Sequence, residues 1–116
     1  MPVTIAGRDT LVMPLILASR TELKPGESFF SVLELRLLEV TAPAGGPTTP
    51  VLRDGLPVWH APAAVPDFLA RLGGNTGYII HPEEAMADNF ALLASGRPAR
   101  NPQLLRRIEA VLLAPR

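Results

Sequence analysis

The stretch Asn75-Thr76-Gly77-Tyr78-Ile79-Ile80-His81-Pro82-Glu83-Glu84-Ala85-Met86-Ala87-Asp88-Asn89-Phe90 decides how the second half of this chain is expected to fold. A helix is predicted to begin at Pro82, because proline is favoured at the first helical position and acids in the first turn complement the helix dipole. In that helix Glu84 and Asp88 lie four residues apart and share one face. The rest of the helix is mostly apolar, which is unusual for a solvated face. The two acids are therefore expected to meet a partner.

Three helices are predicted in all, over about residues 65–72, 82–95 and 102–113. Each has a proline near its first position, and the first two are followed by glycines, which end helices readily. Asn101 precedes the third proline and is predicted to cap that helix. The third helix carries an apolar stripe at helical spacing: Leu104, Leu105, Ile108, Val111 and Leu112.

The first half of the chain favours strands. Residues 3–5 and 10–18 are rich in β-branched and aliphatic side chains, and Gly7-Arg8-Asp9 between them is a plausible turn. The run over 29–40 fits neither the helical nor the strand period cleanly, and a strand is favoured over 34–41. A β-hairpin is predicted over about residues 51–60, because Asp54-Gly55 readily supplies the positive φ angles of a two-residue turn.

These elements predict an α+β fold, a small antiparallel sheet followed by three helices. The chain has 116 residues, of which 47% are hydrophobic, and this is enough apolar material for the core of one domain. A single domain over residues 1–116 is therefore expected. Asn75 and Thr76 are predicted to bond locally to the backbone at the entry to the second helix.

The segment over residues 73–95 resembles the carboxyl-terminal signature of bacterial zinc metallopeptidases of the gluzincin type. In that family a helix with the pattern Glu-x-x-x-Asp follows, well downstream, a helix carrying His-Glu-x-x-His. The resemblance implies that Glu84 is the third zinc ligand and that Asp88, in the outer shell, orients a ligand histidine. It also implies zinc-activated hydrolysis of a peptide substrate in the intact enzyme, of which this chain would be the carboxyl-terminal part, either cut from a longer polypeptide or encoded separately. A cytoplasmic location is expected by default, because the amino-terminal residues do not have the pattern of a signal peptide.

The chain departs from the family in one decisive respect, since it contains no His-Glu-x-x-His. Its two histidines are His60 and His81, which lie 21 positions apart in the sequence. A catalytic zinc needs three protein ligands and an open position for water. By itself the chain is therefore expected to bind no zinc and to hydrolyse no peptide, and its expected partner is a segment that carries the absent motif.

Each candidate residue also has a purely structural interpretation. Glu84 could simply complement the helix dipole. Asp88 could cap the helix or anchor a neighbouring loop by accepting hydrogen bonds from the backbone or from an arginine such as Arg71 or Arg97. His81 is favoured as a residue that fixes the corner before Pro82, with a catalytic role near an oxyanion as the other possibility. His60 is favoured as the end of a strand over a metal ligand.

Composition excludes several classes of function. Eleven basic and eleven acidic residues give a formal charge of zero at pH 7, so nucleic acid and anionic membranes are not expected partners. Without cysteine there is neither a disulfide nor a thiolate metal site. The apolar run over 11–19 contains Pro14 and is too short to span a bilayer. The second functional hypothesis is a non-catalytic interaction module that forms a homodimer through uncovered apolar surface.

Overall fold

The computed structural model of the protein describes residues 1–79 and 82–114. The chain divides into two compact units, Met1–Phe68 and Leu69–Arg116. An antiparallel sheet in the first unit and three helices confirm the predicted α+β class. Organisation as a single domain remains a prediction. Among the described residues, no helix has both the length and the apolar character that a membrane crossing requires.

The sheet of the first unit is built from an amino-terminal hairpin and a long third strand. β1 (Pro2–Ile5) pairs with β2 (Arg8–Ala18), which pairs with β3 (Leu33–Thr41), all antiparallel. The far side of β3 pairs with two short strands, β4 (Thr49–Pro50) and β7 (Trp59–His60). Between these lies a separate two-stranded hairpin, β5 (Leu52–Arg53) and β6 (Leu56–Pro57). The hairpin predicted over 51–60 is thus confirmed.

Two-residue turns with positive φ angles set both hairpins. Asp54 and Gly55 have φ angles of 53° and 78°, as predicted for the turn between β5 and β6. Ala6 and Gly7 have φ angles of 48° and 77° and join β1 to β2. The turn predicted at Gly7-Arg8-Asp9 therefore lies one residue earlier, and β2 begins at Arg8. A two-residue turn fixes the register, which pairs Ile5 with Arg8.

One face of the sheet forms the core of the first unit. Val12 and Leu37 are 0% exposed and Val3 is 2% exposed. The strand register places these three side chains on the same face, since Val3 is opposite Thr10 and Val12 is opposite Glu39. Elsewhere in the unit the most buried apolar residues are Val65 and Phe68, just before and inside the first helix.

The opposite face of the sheet is apolar yet only partly covered. Leu38 and Val40 are buried there, whereas Met13, Leu17 and Trp59 are each more than a third exposed. Alternation along β2 and β3 places all five on this face. The first unit therefore presents apolar sheet surface to solvent.

The helices match their predicted ranges closely. They are α1 (Pro66–Arg71), α2 (Pro82–Ser95) and α3 (Pro102–Leu112). Asn101 caps α3 as predicted, because its Oδ1 accepts a hydrogen bond from the backbone N–H of Leu104 at 3.1 Å. The apolar stripe of α3 is buried only in its first half. Leu105 and Ile108 are buried, whereas Val111 and Leu112 are exposed.

Candidate functional site

The predicted acid pair lies at the start of α2. Glu84 is in the first turn and is exposed, and Asp88 follows one turn later and is half-buried. At this spacing the two carboxyl groups share a helical face. The shared face is exposed at Glu84 and becomes partly buried at Asp88. His81, the other candidate of this segment, lies outside the described residues.

Asp88 is held by the loop that precedes the helix. Its Oδ2 accepts a short hydrogen bond from the Thr76 hydroxyl. The same hydroxyl oxygen accepts a hydrogen bond from the backbone N–H of Tyr78 at 2.9 Å, so the loop is tied to itself and to α2. The local bond predicted for Thr76 is therefore present. Asp88 therefore anchors the loop, in agreement with the structural interpretation of this residue. Its partner is Thr76, which was not expected from the sequence.

Asn75 connects three parts of the second unit. Its Nδ2 donates to Asn89 Oδ1 in α2 at 2.9 Å and to the Asn101 carbonyl oxygen at 3.1 Å. Its Oδ1 accepts from the Asn101 N–H at 2.6 Å. Asn75 was expected to bond locally, and this expectation is wrong, since it reaches residues 14 and 26 positions away. The loop is fixed to both α2 and the start of α3.

Asn89 completes this network from inside α2. It is only 2% exposed, and its Nδ2 donates to the Ala85 carbonyl oxygen at 2.7 Å while Oδ1 accepts from Asn75. A buried amide without such partners would cost free energy, so the network stabilises one position of the loop against the helix. The loop is thus attached to α2 at two places: Thr76 is hydrogen-bonded to Asp88, and Asn75 is hydrogen-bonded to Asn89.

A metal ion requires more donors than this face offers. Within residues 1–79 and 82–114, no group of three or more histidine, aspartate or glutamate side chains is arranged to hold a metal. Glu84 and Asp88 supply carboxylate oxygens, which zinc accepts, but two acids are fewer than a catalytic site with three protein ligands needs. The described residues therefore do not fit a complete zinc site, and any further donors must come from elsewhere.

The sheet of the first unit contains a second polar cluster. His60 Nε2 lies 3.1 Å from Glu39 Oε2, and both side chains are largely buried, 19% and 10% exposed. Pairing of β7 with β3 brings them together, because His60 is opposite Leu37, two residues from Glu39 on the same face. His60 ends its strand as predicted. Glu39 was not singled out from the sequence. The available signal was an acid on the inward face of a strand whose preceding residues on that face are leucines.

Glu39 also anchors the β5–β6 hairpin through its backbone. Its N–H donates to the Val58 carbonyl oxygen at 2.9 Å, and its carbonyl oxygen accepts from the Val51 N–H at 2.8 Å. Both bonds lie on the same edge of β3 and hold Glu39 in the strand, so its side chain has a defined direction. We interpret the Glu39–His60 pair as a structural cluster, since its two groups satisfy each other in the core.

Comparisons with protein families, with curated proteins and with solved structures found no match to this chain.

Proposed function

We propose that the chain is the carboxyl-terminal part of a gluzincin-like zinc metallopeptidase and supplies Glu84 as one ligand of a metal whose other ligands lie in a different segment. The observation that carries the proposal is the exposure of Glu84 in the first turn of α2, one turn before an anchored Asp88. An exposed carboxylate can be approached by a second protein segment. The residues of the sequence resemblance also act together, since Asn75 and Thr76 hold the acid-bearing helix.

Rigid support is what a metal ligand on this helix requires. Precise sites are built on helices whose own position is fixed by surrounding hydrogen bonds. Asn89 inside α2 and Asn101 at the start of α3 are both bonded to Asn75, so α2 has a fixed position within its unit. This support would keep Glu84 in place for a docking segment. It also gives a structural role to Asn75 and Thr76, which precede the acids in the sequence.

What the chain lacks defines what the partner segment must carry. Two imidazole ligands and a general base, as in His-Glu-x-x-His, would complete the donor set that the described residues do not provide. Asp88 would then accept a hydrogen bond from the N–H of a ligand histidine. It would do so either in place of the bond from Thr76 or through its second carboxylate oxygen. Peptide hydrolysis is proposed only for the assembled protein, and a cytoplasmic location remains a prediction.

Calorimetric titration with zinc tests the division of ligands. The 116-residue chain alone is expected to show no stoichiometric tight binding. Tight binding at one zinc per chain would show that the ligand set lies inside this chain and would overturn the proposal. Sequencing the transcript upstream of Met1 is the complementary test, because an in-frame His-Glu-x-x-His codon pattern is expected there.

The second candidate function is a non-catalytic interaction module. It is favoured by one specific observation, the apolar and partly exposed face of the sheet in the first unit, including Met13, Leu17 and Trp59. Large exposed apolar surfaces mark sites of association. A module of this kind would require neither zinc nor Glu84, so the exchange of Glu84 for glutamine separates the two candidates.

A further inference from the structure

We propose that a crevice between α2 and α3 binds a small molecule that has an apolar chain and one carboxylate, such as a short fatty acid. The residues that line the crevice are Met86, Leu104, Arg107, Ile108, Val111 and Leu112. All of them belong to the second unit. Glu84 and Asp88 are not among them, so ligand binding in the crevice and zinc binding at Glu84 can be tested, and can fail, separately.

The size and lining of the crevice are those of a small-molecule site. Its volume is about 330 Å³, and five of its six lining residues are apolar. Small-molecule sites are typically mostly apolar cavities of about 300–1,000 Å³ that contain a few well-placed polar groups. In this crevice the polar group is the guanidinium of Arg107. The ligand is therefore expected to be mainly apolar and to carry a group that an arginine binds.

The apolar surface of the crevice comes from both helices. Leu104, Ile108 and Val111 recur every three to four residues along α3, so they share one face of that helix. Ile108 is buried and Leu104 is half-buried. Met86 of α2 is 50% exposed and completes the lining from the other helix. Its unbranched thioether side chain can adjust to the shape of an apolar ligand.

Arg107 supplies the charge that selects the ligand. It follows Leu104 by three residues and precedes Val111 by four, so it lies on the edge of the same helical face. Its side chain is exposed, and within residues 1–79 and 82–114 it forms no ion pair with an acid. A guanidinium binds a carboxylate through two parallel hydrogen bonds. The charge that complements the crevice is therefore a carboxylate at the end of an apolar chain.

The crevice and the proposed zinc ligand lie on different sides of α2. Met86 follows Glu84 by two residues, which is a rotation of about 200° around a helix with 3.6 residues per turn. A segment that docks on Glu84 therefore approaches the side of α2 that faces away from Met86.

The combination of one charge with an apolar lining distinguishes the proposed ligand from simpler ones. Acetate offers the carboxylate but no chain to remove apolar surface from water. Octanol offers the chain but no charge for Arg107. Octanoate has both parts, so it is expected to bind more tightly than either.

Methyl NMR on the 116-residue chain, labelled at methionine and titrated with monomeric sodium octanoate, provides the first test. The chain has three methionines, of which Met1 and Met13 belong to the first unit. The Met86 methyl signal is expected to shift and to saturate at one octanoate per chain. Met13 is 38% exposed and serves as an internal control for non-specific association with apolar surface. The absence of a shift at Met86, or equal shifts at Met13 and Met86, would overturn the proposal.

Two arginine variants test the recognition of the carboxylate by the same titration. Arg107→Gln is expected to weaken octanoate binding about tenfold and to leave the weaker binding of octanol unchanged. Arg106→Gln makes the same change in charge at the preceding exposed residue, which does not line the crevice, and is expected to bind octanoate like the wild type. Circular dichroism checks that both variants are folded. Octanol binding as tight as octanoate binding, or an equal loss of octanoate affinity in the two variants, would contradict the role of Arg107.

Discussion

The Thr76 hydroxyl donates a hydrogen bond to Oδ2 of Asp88, which ties the loop before α2 to the second turn of that helix. The same oxygen accepts from the Tyr78 N–H. One hydroxyl thus fixes both the path of the loop and the direction of the acid. This relationship connects the residues of the sequence resemblance to the geometry of the proposed ligand helix.

Thr76→Val should destabilise the protein because it removes this donor and acceptor while keeping the side-chain shape. We expect a loss of about 1–2 kcal/mol in the free energy of unfolding, measured by urea denaturation. Thr76→Ser retains the hydroxyl and is the control, with a smaller expected loss. Equal stability of the valine and serine variants would show that the bond to Asp88 contributes nothing measurable.

A clash distinguishes two glycines that share the same backbone constraint. Gly73 and Gly96 have φ angles of 79° and 64°, which disfavour any side chain. A Cβ at Gly73 would lie 2.3 Å from Cδ2 of the half-buried Leu104, whereas a Cβ at Gly96 would meet nothing within 4 Å. Gly73→Ala should therefore cost about 1 kcal/mol more than Gly96→Ala in thermal unfolding. The reverse order would contradict the close approach of Leu104 to the loop.

His60→Ala should destabilise the first unit, because it leaves the largely buried carboxylate of Glu39 without its imidazole partner. The expected loss is about 1–3 kcal/mol by urea denaturation. Replacing both groups, with His60→Ala and Glu39→Met together, should recover part of it, since no largely buried polar group is then left without its partner. A double variant less stable than His60→Ala would show that Glu39 has another essential partner.

The loop between β2 and β3 should contribute a pH-dependent stability through Glu27. The backbone N–H of Lys24 lowers the pKa of Glu27 from its ordinary value, and hydrogen bonds from Arg20 and Ser31 lower it further. Because the folded-state pKa lies below the unfolded one, the stabilisation is present above the unfolded pKa and is lost as the pH falls through the folded pKa. The stability difference between wild type and Glu27→Gln should therefore shrink on acidification. A difference that is constant with pH would contradict this linkage.

Much of the fold could be predicted because its signals are local. Prolines and glycines placed the helices within one or two residues, and Asp54-Gly55 placed a hairpin. The long-range partners could not be predicted in this way. Glu39 meets His60 through strand pairing across 21 positions, and Asn75 meets Asn101 across 26. Such contacts depend on register and packing, which the spacing of residues in the sequence does not specify.

The amino-terminal hairpin shows the same division between local and distant causes. Residues 10–18 were predicted to be extended from their side chains alone, although they include Pro14, which cannot donate a backbone hydrogen bond. The strand tolerates it because its nitrogen, which carries no hydrogen, faces away from β3, and that direction follows from the pairing of β2 with β3. The place of a proline in this strand could therefore be explained only once the backbone pairing was known.

Zinc retention by the intact gene product that contains this sequence is the most direct test of the proposed ligand. Glu84→Gln is expected to abolish stoichiometric zinc, measured by plasma emission spectroscopy after dialysis, and Asp88→Asn to weaken zinc binding about 10–100-fold. Glu83→Gln, the adjacent exposed acid in the same helical turn, is the control and should retain the metal. Equal zinc content in the Glu84→Gln, Glu83→Gln and wild-type proteins would contradict the assignment of Glu84 as a metal ligand.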